Sequence, residues 1–157
     1  MFQGQLVAIY VAARKGIDLQ PLDKVEAVAG CGLVGDRYFL KEGTFSPKDG
    51  PDREVTLIER EALEGLAREY ELTLAPHQAR RNLLTHGVPL NHLVGKTFTI
   101  GGVTLRGIRL CEPCGHLEKL TCVGVEKGLK HRGGLRAQIV TGGVLTVGAT
   151  IIEGAAS

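Results

Sequence analysis

Thr97-Phe98-Thr99-Ile100-Gly101-Gly102-Val103-Thr104-Leu105-Arg106-Gly107-Ile108-Arg109-Leu110 is the stretch that decides the fold. Two runs of β-compatible residues, Thr97 to Ile100 and Val103 to Leu110, are joined by a Gly-Gly pair that can adopt the positive φ values of a tight turn, which predicts a β-hairpin. The same device recurs downstream, where Gly142-Gly143 separates Leu135 to Thr141 from Val144 to Ile152, and predicts a second hairpin. In the first arm of that pair Leu135, Ala137 and Ile139 alternate with Arg136 and Gln138, so one face reads as core and the other as solvent or site.

Outward from these hairpins, Gln5 to Ala13 and Glu54 to Ile58 read as further strands, the latter leading into a helix. Leu63, Leu66, Ala67 and Tyr70 form the apolar stripe of that helix, and Glu59 and Glu61 suit the positive end of its dipole. A shorter helix is expected within His116 to Gly128, and Lys41 to Arg53, rich in Gly, Ser and Pro, reads as a surface loop or lid. Strands along the whole chain with short helices between them predict a mainly β fold, a closed or nearly closed, mostly antiparallel barrel in a single domain spanning 1–157.

Composition agrees with a turn-rich globular protein. Glycine occupies 22 of 157 positions, about twice the usual share, without a collagen-like period. The longest apolar run, Leu6 to Ala13, is too short to span a membrane, and no basic residue precedes it as in a secretory signal, so a cytoplasmic protein is expected. A net charge of +2 argues against bulk attraction to nucleic acid or membrane. Four cysteines without an export signal read as free thiols, a metal site or a reactive thiol.

The densest chemistry lies in Cys111-Glu112-Pro113-Cys114-Gly115-His116, directly after the strand that ends near Leu110. Pro113 withdraws a ladder donor and Gly115 permits an unusual turn, so Cys114 is presented on a loop at a strand end, with Arg109, His116 and Lys119 near enough in sequence to stabilise a thiolate. Small packing residues at a turn are an alternative, as is a zinc site of Cys111, Cys114, His116 and Cys122, which His131 could also join and whose spacing matches no familiar zinc module.

Two cationic segments flank that loop. Lys127, Lys130, Arg132 and Arg136 occur without an acid among them, and Gly133-Gly134 lets backbone approach a ligand, or simply turns toward a strand. Arg80-Arg81-Asn82 sits where a strand begins and reads as an exposed basic turn or a second anion clamp. Gly35-Asp36-Arg37 lacks the spacing of a dinucleotide fingerprint, and Asp36 and Arg37 can fix a turn by pairing. His77, His86 and His92 are assigned to packing or solvent.

The order of these elements is more specific than any one of them. Gly-Leu-Val-Gly-Asp-Arg-Tyr at 32–38, Val-Thr-Leu-Ile-Glu at 55–59, Arg-Arg-Asn-Leu at 80–83, Gly95, Phe98 and Ile100-Gly101, Glu-Pro-Cys at 112–114 and Arg-Gly-Gly-Leu-Arg-Ala at 132–137 resemble the MOSC family, named for the C-terminal domain of molybdenum cofactor sulfurases. The resemblance runs from about residue 5 to residue 153 and implies a β-barrel-like domain that binds the molybdopterin-type molybdenum cofactor or handles sulfur destined for it.

In that family the cysteine carries sulfur or, in amidoxime-reducing members, ligates molybdenum, and the position that matches is Cys114. Arg81 and Arg132 would face the anionic cofactor, with Asp36, Arg37, Asn82, Gly133 and Arg136 completing the expected cofactor-binding set. Sulfur transfer and a part in molybdenum-dependent reduction both fit this arrangement. The length taken up by the resemblance leaves no room for the pyridoxal-phosphate domain of the sulfurases or for the second barrel of amidoxime-reducing proteins. The chain is thus expected not to be a cysteine desulfurase itself. A separate sulfurtransferase or cysteine desulfurase, which alone would carry pyridoxal phosphate, is the expected donor, with a molybdoenzyme or redox partner downstream.

Overall fold

The structure, a computed structural model, describes residues 2–14, 16–40, 50–113 and 115–154, with the side chain of residue 116 outside that set. Eleven strands are described: β1 (Gln3–Val11), β2 (Gln20–Leu22), β3 (Lys24–Val28), β4 (Gly32–Leu33), β5 (Val55–Glu59), β6 (Leu83–His86), β7 (Thr97–Ile100), β8 (Val103–Leu110), β9 (Leu135–Thr141), β10 (Gly143–Thr146) and β11 (Thr150–Glu153). Between them lie α1 (Arg37–Leu40), α2 (Arg60–Tyr70), α3 (Gly115–Leu120) and α4 (Val125–Gly128).

Seven strands close on themselves in the order β11-β7-β8-β9-β5-β6-β1, because β1 pairs back to β11, and β2 hangs on the outer edge of β1. The barrel is mainly β and mostly antiparallel, as expected. Its one parallel pair, β5 and β6, requires a crossover, which contains α2. Leu6, Ile9, Val55, Leu57, Leu83, Phe98, Ile100, Leu105, Leu135 and Ala137 alternate inward and fill the interior, with Phe98 the largest wholly buried side chain. Such a barrel is a packed core and not a pore, so any site must lie outside it.

The first predicted hairpin is present: Ile100 pairs with Val103 across Gly101-Gly102, and Gly101 takes φ +59°. The second is not. The chain after β9 leaves the barrel at Gly142-Gly143, so that β10 pairs with β3 in a separate three-stranded sheet, and β11 then returns to pair with β7 and β1. The reason is steric: a Cβ on Gly142 would strike the carbonyl oxygen of Ala27, so the glycine permits a close crossing of two sheets rather than a turn between partners.

Helix α2 packs on the outer face of β5 and β6 through Ala62, Leu63, Gly65 and Leu66, which join Ile58, Leu84, Leu117, Val125 and Leu129 in a second apolar cluster or lie against it. The expected stripe is thus rotated: Leu63 and Leu66 are buried, whereas Ala67 and Tyr70 are exposed. Small Gly65 and Gly128 allow this, since the Arg132 side chain lies over the first and Leu66 and Tyr70 press on the second. The helical region expected after residue 116 is two short helices, α3 and α4, broken at Gly124 with φ +101°. No helix among the described residues is long and apolar enough to cross a membrane.

Candidate functional site

The last residues of β8 and the segment after it are fixed by four separate ties. The Cys111 N–H donates to the Gly134 carbonyl at 2.7 Å, and the Cys111 carbonyl accepts from Arg81 Nη2 at 3.0 Å. Glu112 grips His131 twice, accepting from its backbone N–H at 2.7 Å and meeting its ring Nδ1 at 3.0 Å. His131 is itself held in the left-handed region, φ +66°, with its carbonyl taken by Asn91 Nδ2. Pro113 packs so closely on Gly133 that a Cβ there would lie 2.7 Å from the proline Cδ and 2.6 Å from the Cys111 carbonyl oxygen. Cys114 lies outside the described residues, as do 41–49 of the expected lid. The described flanks of Cys114 are this tied segment on one side and Gly115, which opens α3, on the other.

Arg81 is 9% exposed, and besides Cys111 it donates from Nε to the Gly133 carbonyl at 2.8 Å and from Nη1 to the Ala79 carbonyl at 3.4 Å. Its fork therefore joins three stretches of backbone. Asn82 is wholly buried: Oδ1 accepts from the N–H and hydroxyl of Thr56 at 3.0 and 3.1 Å, and Nδ2 donates to the Tyr10 carbonyl at 3.1 Å. It stitches β5, β6 and β1 together.

Asp36, also wholly buried, accepts from the Ala12 and Tyr38 N–H groups at 3.1 and 3.3 Å and from Arg37 Nη1 at 3.2 Å. The turn-fixing pair read from sequence is present. Arg37 then reaches the Arg80 carbonyl with Nη2 and lies 4.9 Å from the centre of the Tyr38 ring. Arg136 approaches that ring at 6.0 Å, and its Nη1 donates to the Tyr38 hydroxyl and the Asp52 carbonyl, both at 3.2 Å. Burial alone would weaken the Arg136 charge, but Cys111, Tyr38 and Asp52 outweigh it and hold its pKa above the ordinary value. Arg109, paired with Arg136 in the β8–β9 register, donates to Asp52 at 2.8 Å, and this bond holds the Asp52 carboxyl below its ordinary range. Arg80 is pushed down by burial and by its neighbour Arg37.

Six of the seven expected cofactor-binding residues, Asp36, Arg37, Arg81, Asn82, Gly133 and Arg136, thus belong to one connected region around the Cys111–Pro113 segment. Arg132 does not. Its Nε donates to the Gly128 carbonyl and its Nη1 to Glu69 at 2.7 Å, which lowers the Glu69 pKa and ties the turn to α2. Gly133 and Gly134 bring the backbone against its own loop and against Leu57 rather than toward open space.

Arg81 and Asn82 are thus engaged within the chain, and open cationic capacity lies elsewhere. A cleft of about 540 Å³ is lined by Glu112, Pro113, Glu118, Glu126, Lys127 and Lys130. Glu112 is taken by His131, and Glu118 accepts from the N–H groups of Gly124 and Glu126 at 3.0 and 3.1 Å. Lys127 and Lys130 have no carboxylate partner among the described residues, so an acidic group fits beside them. Sequence reading named both lysines but not the cleft, which depends on how α3 folds against α4.

Among the described residues no three His, Cys, Asp or Glu side chains gather to hold a metal ion. Of the zinc set, Cys111 is buried and Cys122 exposed, while Cys114 and the His116 side chain are outside the described residues. His77, His86 and His92 are exposed, His86 pairing with Glu61 at 2.9 Å.

Similar solved structures include the YuaD protein from Bacillus subtilis, 19% identical with a TM-score of 0.76 over 96% of this chain and 97% of that one. YiiM from Geobacillus stearothermophilus is 16% identical, TM-score 0.74, over 96% of this chain and 75% of that one, and YiiM from Escherichia coli is 20% identical, TM-score 0.68, over 100% and 71%. These likenesses show the fold. Curated protein sequences give no match. The MOSC domain model matches residues 46–152, a stretch that contains β5 and ends in β11, and by that match the chain belongs to the MOSC domain family.

Proposed function

We propose that this chain binds a molybdopterin-type cofactor or carries sulfur for it, with Cys114 as the reacting sulfur. The observation that supports this most is the convergence of residues 36–38, 80–82, 111–113 and 133–136 on one region outside the barrel, although they are scattered through the sequence. Tying the residues before Cys114 by four contacts reduces the freedom of a loop whose job is to present one sulfur atom. Arg136, which interacts electrostatically with Cys111, puts cationic charge near the base of that loop, which favours a thiolate, whereas Arg37 and Arg109 are paired with Asp36 and Asp52.

In the carrier mode the Cys114 thiolate takes a sulfane sulfur from a sulfurtransferase or cysteine desulfurase and passes it to a molybdoenzyme or its cofactor. In the ligand mode the bound cofactor supplies a soft metal for which a thiolate is the suited donor. The chain's own part in either mode is the same: hold the loop, keep the sulfur ionised, and seat an acidic tail near Lys127 and Lys130. Metal and pterin analysis of protein purified from a molybdenum-replete host tests the cofactor mode. Molybdenum and pterin fluorescence in the wild type, lost in Cys114→Ser, support it. Equal amounts in both would remove Cys114 from the cofactor's attachment.

A further inference from the structure

Three strands stand at the ends of the strand orders, β2, β4 and β10. Two of them are guarded. β2 is a short strand with Pro21 at its centre and Asp23 just after it, and β4 is only Gly32–Leu33, too short to template a partner. β10 has neither protection. From Ala137 to Ile152 no residue is charged and no proline intervenes, and on either side of the buried Leu145 the residues Val140 to Val144 and Thr146 to Gly148 are all exposed, Val144 to 58%. An edge of that composition is a ready template for another strand.

The ladder to β3 shows which backbone groups are open. The Val147 N–H donates to the Asp23 carbonyl at 2.9 Å, and the register continues as Thr146 to Lys24, Leu145 to Val25 and Val144 to Glu26. Antiparallel ladders alternate, so Leu145 and Gly143 turn their backbone groups to β3, while Val144 and Thr146 turn theirs outward. On the other side of β3 the Val34 N–H donates to the Glu26 carbonyl at 3.0 Å, in keeping with the same alternation. The Thr146 carbonyl accepts from the Ala149 N–H at 3.0 Å and keeps a second lone pair. The Val144 N–H and carbonyl and the Thr146 N–H have no partner among the described residues.

We propose that β10 pairs with β10 of a second copy of this chain, antiparallel, about a two-fold axis at Leu145. Val144 then stands opposite the second copy's Thr146, and each such pair exchanges two N–H···O bonds. Charge selects this register. Lys24 and Glu26 are exposed and lie beside Thr146 and Val144 on the same face of the sheet. Pairing about Leu145 puts Glu26 in one cross-strand row with the second copy's Lys24, whereas pairing about Val144 would align two Glu26 carboxylates and pairing about Thr146 two Lys24 ammonium groups. A strand of unrelated sequence would gain the backbone bonds without this match. So short a strand makes a smaller contact than the roughly 1,200–2,000 Å² of a stable complex, so monomer and dimer exchange with concentration.

The test joins the concentration dependence of the mass, by sedimentation, to amide exchange by NMR on the full chain. As the wild type dimerises, the Val144 and Thr146 amides become protected, whereas the Leu145 amide, already bonded to β3, is protected at every concentration. Val144→Pro removes an outward N–H and no bond to β3, and Val144→Lys keeps the backbone while charging the edge. Each should raise the dissociation constant of the dimer more than about tenfold, and Val144→Lys should keep the melting temperature of the dilute monomer. A wild type that stays monomeric at its highest soluble concentration overturns the proposal, as does a dimer whose two outward amides remain unprotected or that Val144→Lys leaves intact. Protection of those amides in the monomer only on adding an uncharged Thr-Val peptide also overturns it, and assigns the edge to a foreign strand.

Discussion

Arg81 donates through Nη2 to the carbonyl oxygen of Cys111 at 3.0 Å, although the two residues stand thirty positions apart in the chain. With its Nε on Gly133, this one guanidinium sets the spacing between the Arg-Asn element, the cysteine loop and the Gly-Gly turn. Its fork explains why an arginine suits this position, because a single lysine ammonium cannot reproduce two separate N–H donors, one to each carbonyl.

Replacing Arg81 with Ala leaves the Cys111 and Gly133 carbonyls without that partner in a buried setting. Unfolding in urea should show a loss of about 2–4 kcal/mol, and Arg81→Lys should recover only part of it. A cost below about 0.5 kcal/mol would mean that the fork does not hold the loop.

Gly133→Ala and Gly134→Ala are expected to cost more than about 2 kcal/mol each, since a Cβ at 133 meets Cys111 and Pro113 and one at 134, where φ is +121°, meets the Leu57 carbonyl. Gly102→Ala faces open space and should stay within about 0.5 kcal/mol. Thermal melts of the three variants check the contrast.

Arg132 separates a tie from an anion contact. As a tie from the Gly128 turn to α2, its loss should lower stability, and Glu69→Gln should reproduce part of that loss with cofactor retention unchanged. A drop in retention of roughly ten- to a hundredfold for Arg132→Ala alone, with stability intact, would return Arg132 to the cofactor.

Burial, reinforced by the nearby Glu61 charge and opposed by a hydrogen bond from the Leu90 backbone, raises the pKa of Glu59. A carboxyl raised in the folded state binds its proton more tightly there, so stability is lost as pH rises from the unfolded pKa through the folded one. Glu59→Gln, which keeps an acceptor for Leu90, should therefore raise the melting temperature at neutral pH and make little difference in acid. A variant less stable than the wild type at neutral pH contradicts this.

Much of the architecture was legible because its signals are local. The Gly101-Gly102 turn, the alternation of Leu135, Ala137 and Ile139, and the pairing of Asp36 with Arg37 each involve neighbours in sequence. The second Gly-Gly misled for the opposite reason: its cause is Ala27, brought near only by the crossing of two sheets. The roles of Arg81 and Asn82 were hidden in the same way, because their partners are backbone carbonyls or residues of distant strands, which leave no pattern in the sequence. The α2 stripe was misphased because two glycines let a side chain and a neighbouring helix approach where larger residues normally mark a buried face.

Exposure alone would make Cys31 and Cys122 the preferred targets of a thiol reagent, with Cys111, 2% exposed, protected. A thiolate reacts faster than a neutral thiol, and the proposed role of Cys114 requires one. Limiting iodoacetamide near neutral pH, read by peptide mapping, should therefore label Cys114 first. Preferential labelling of Cys31, or equal labelling throughout, goes against an activated Cys114.

The most direct measurement of whether Cys114 handles sulfur is the intact mass of the protein after incubation with a cysteine desulfurase and cysteine. One added sulfur, ~32 Da, on the wild type and none on Cys114→Ser is the expected result, because the thiolate is the acceptor. Sulfur added equally to both proteins, or to neither when molybdenum and pterin are also absent from the purified wild type, would contradict the account.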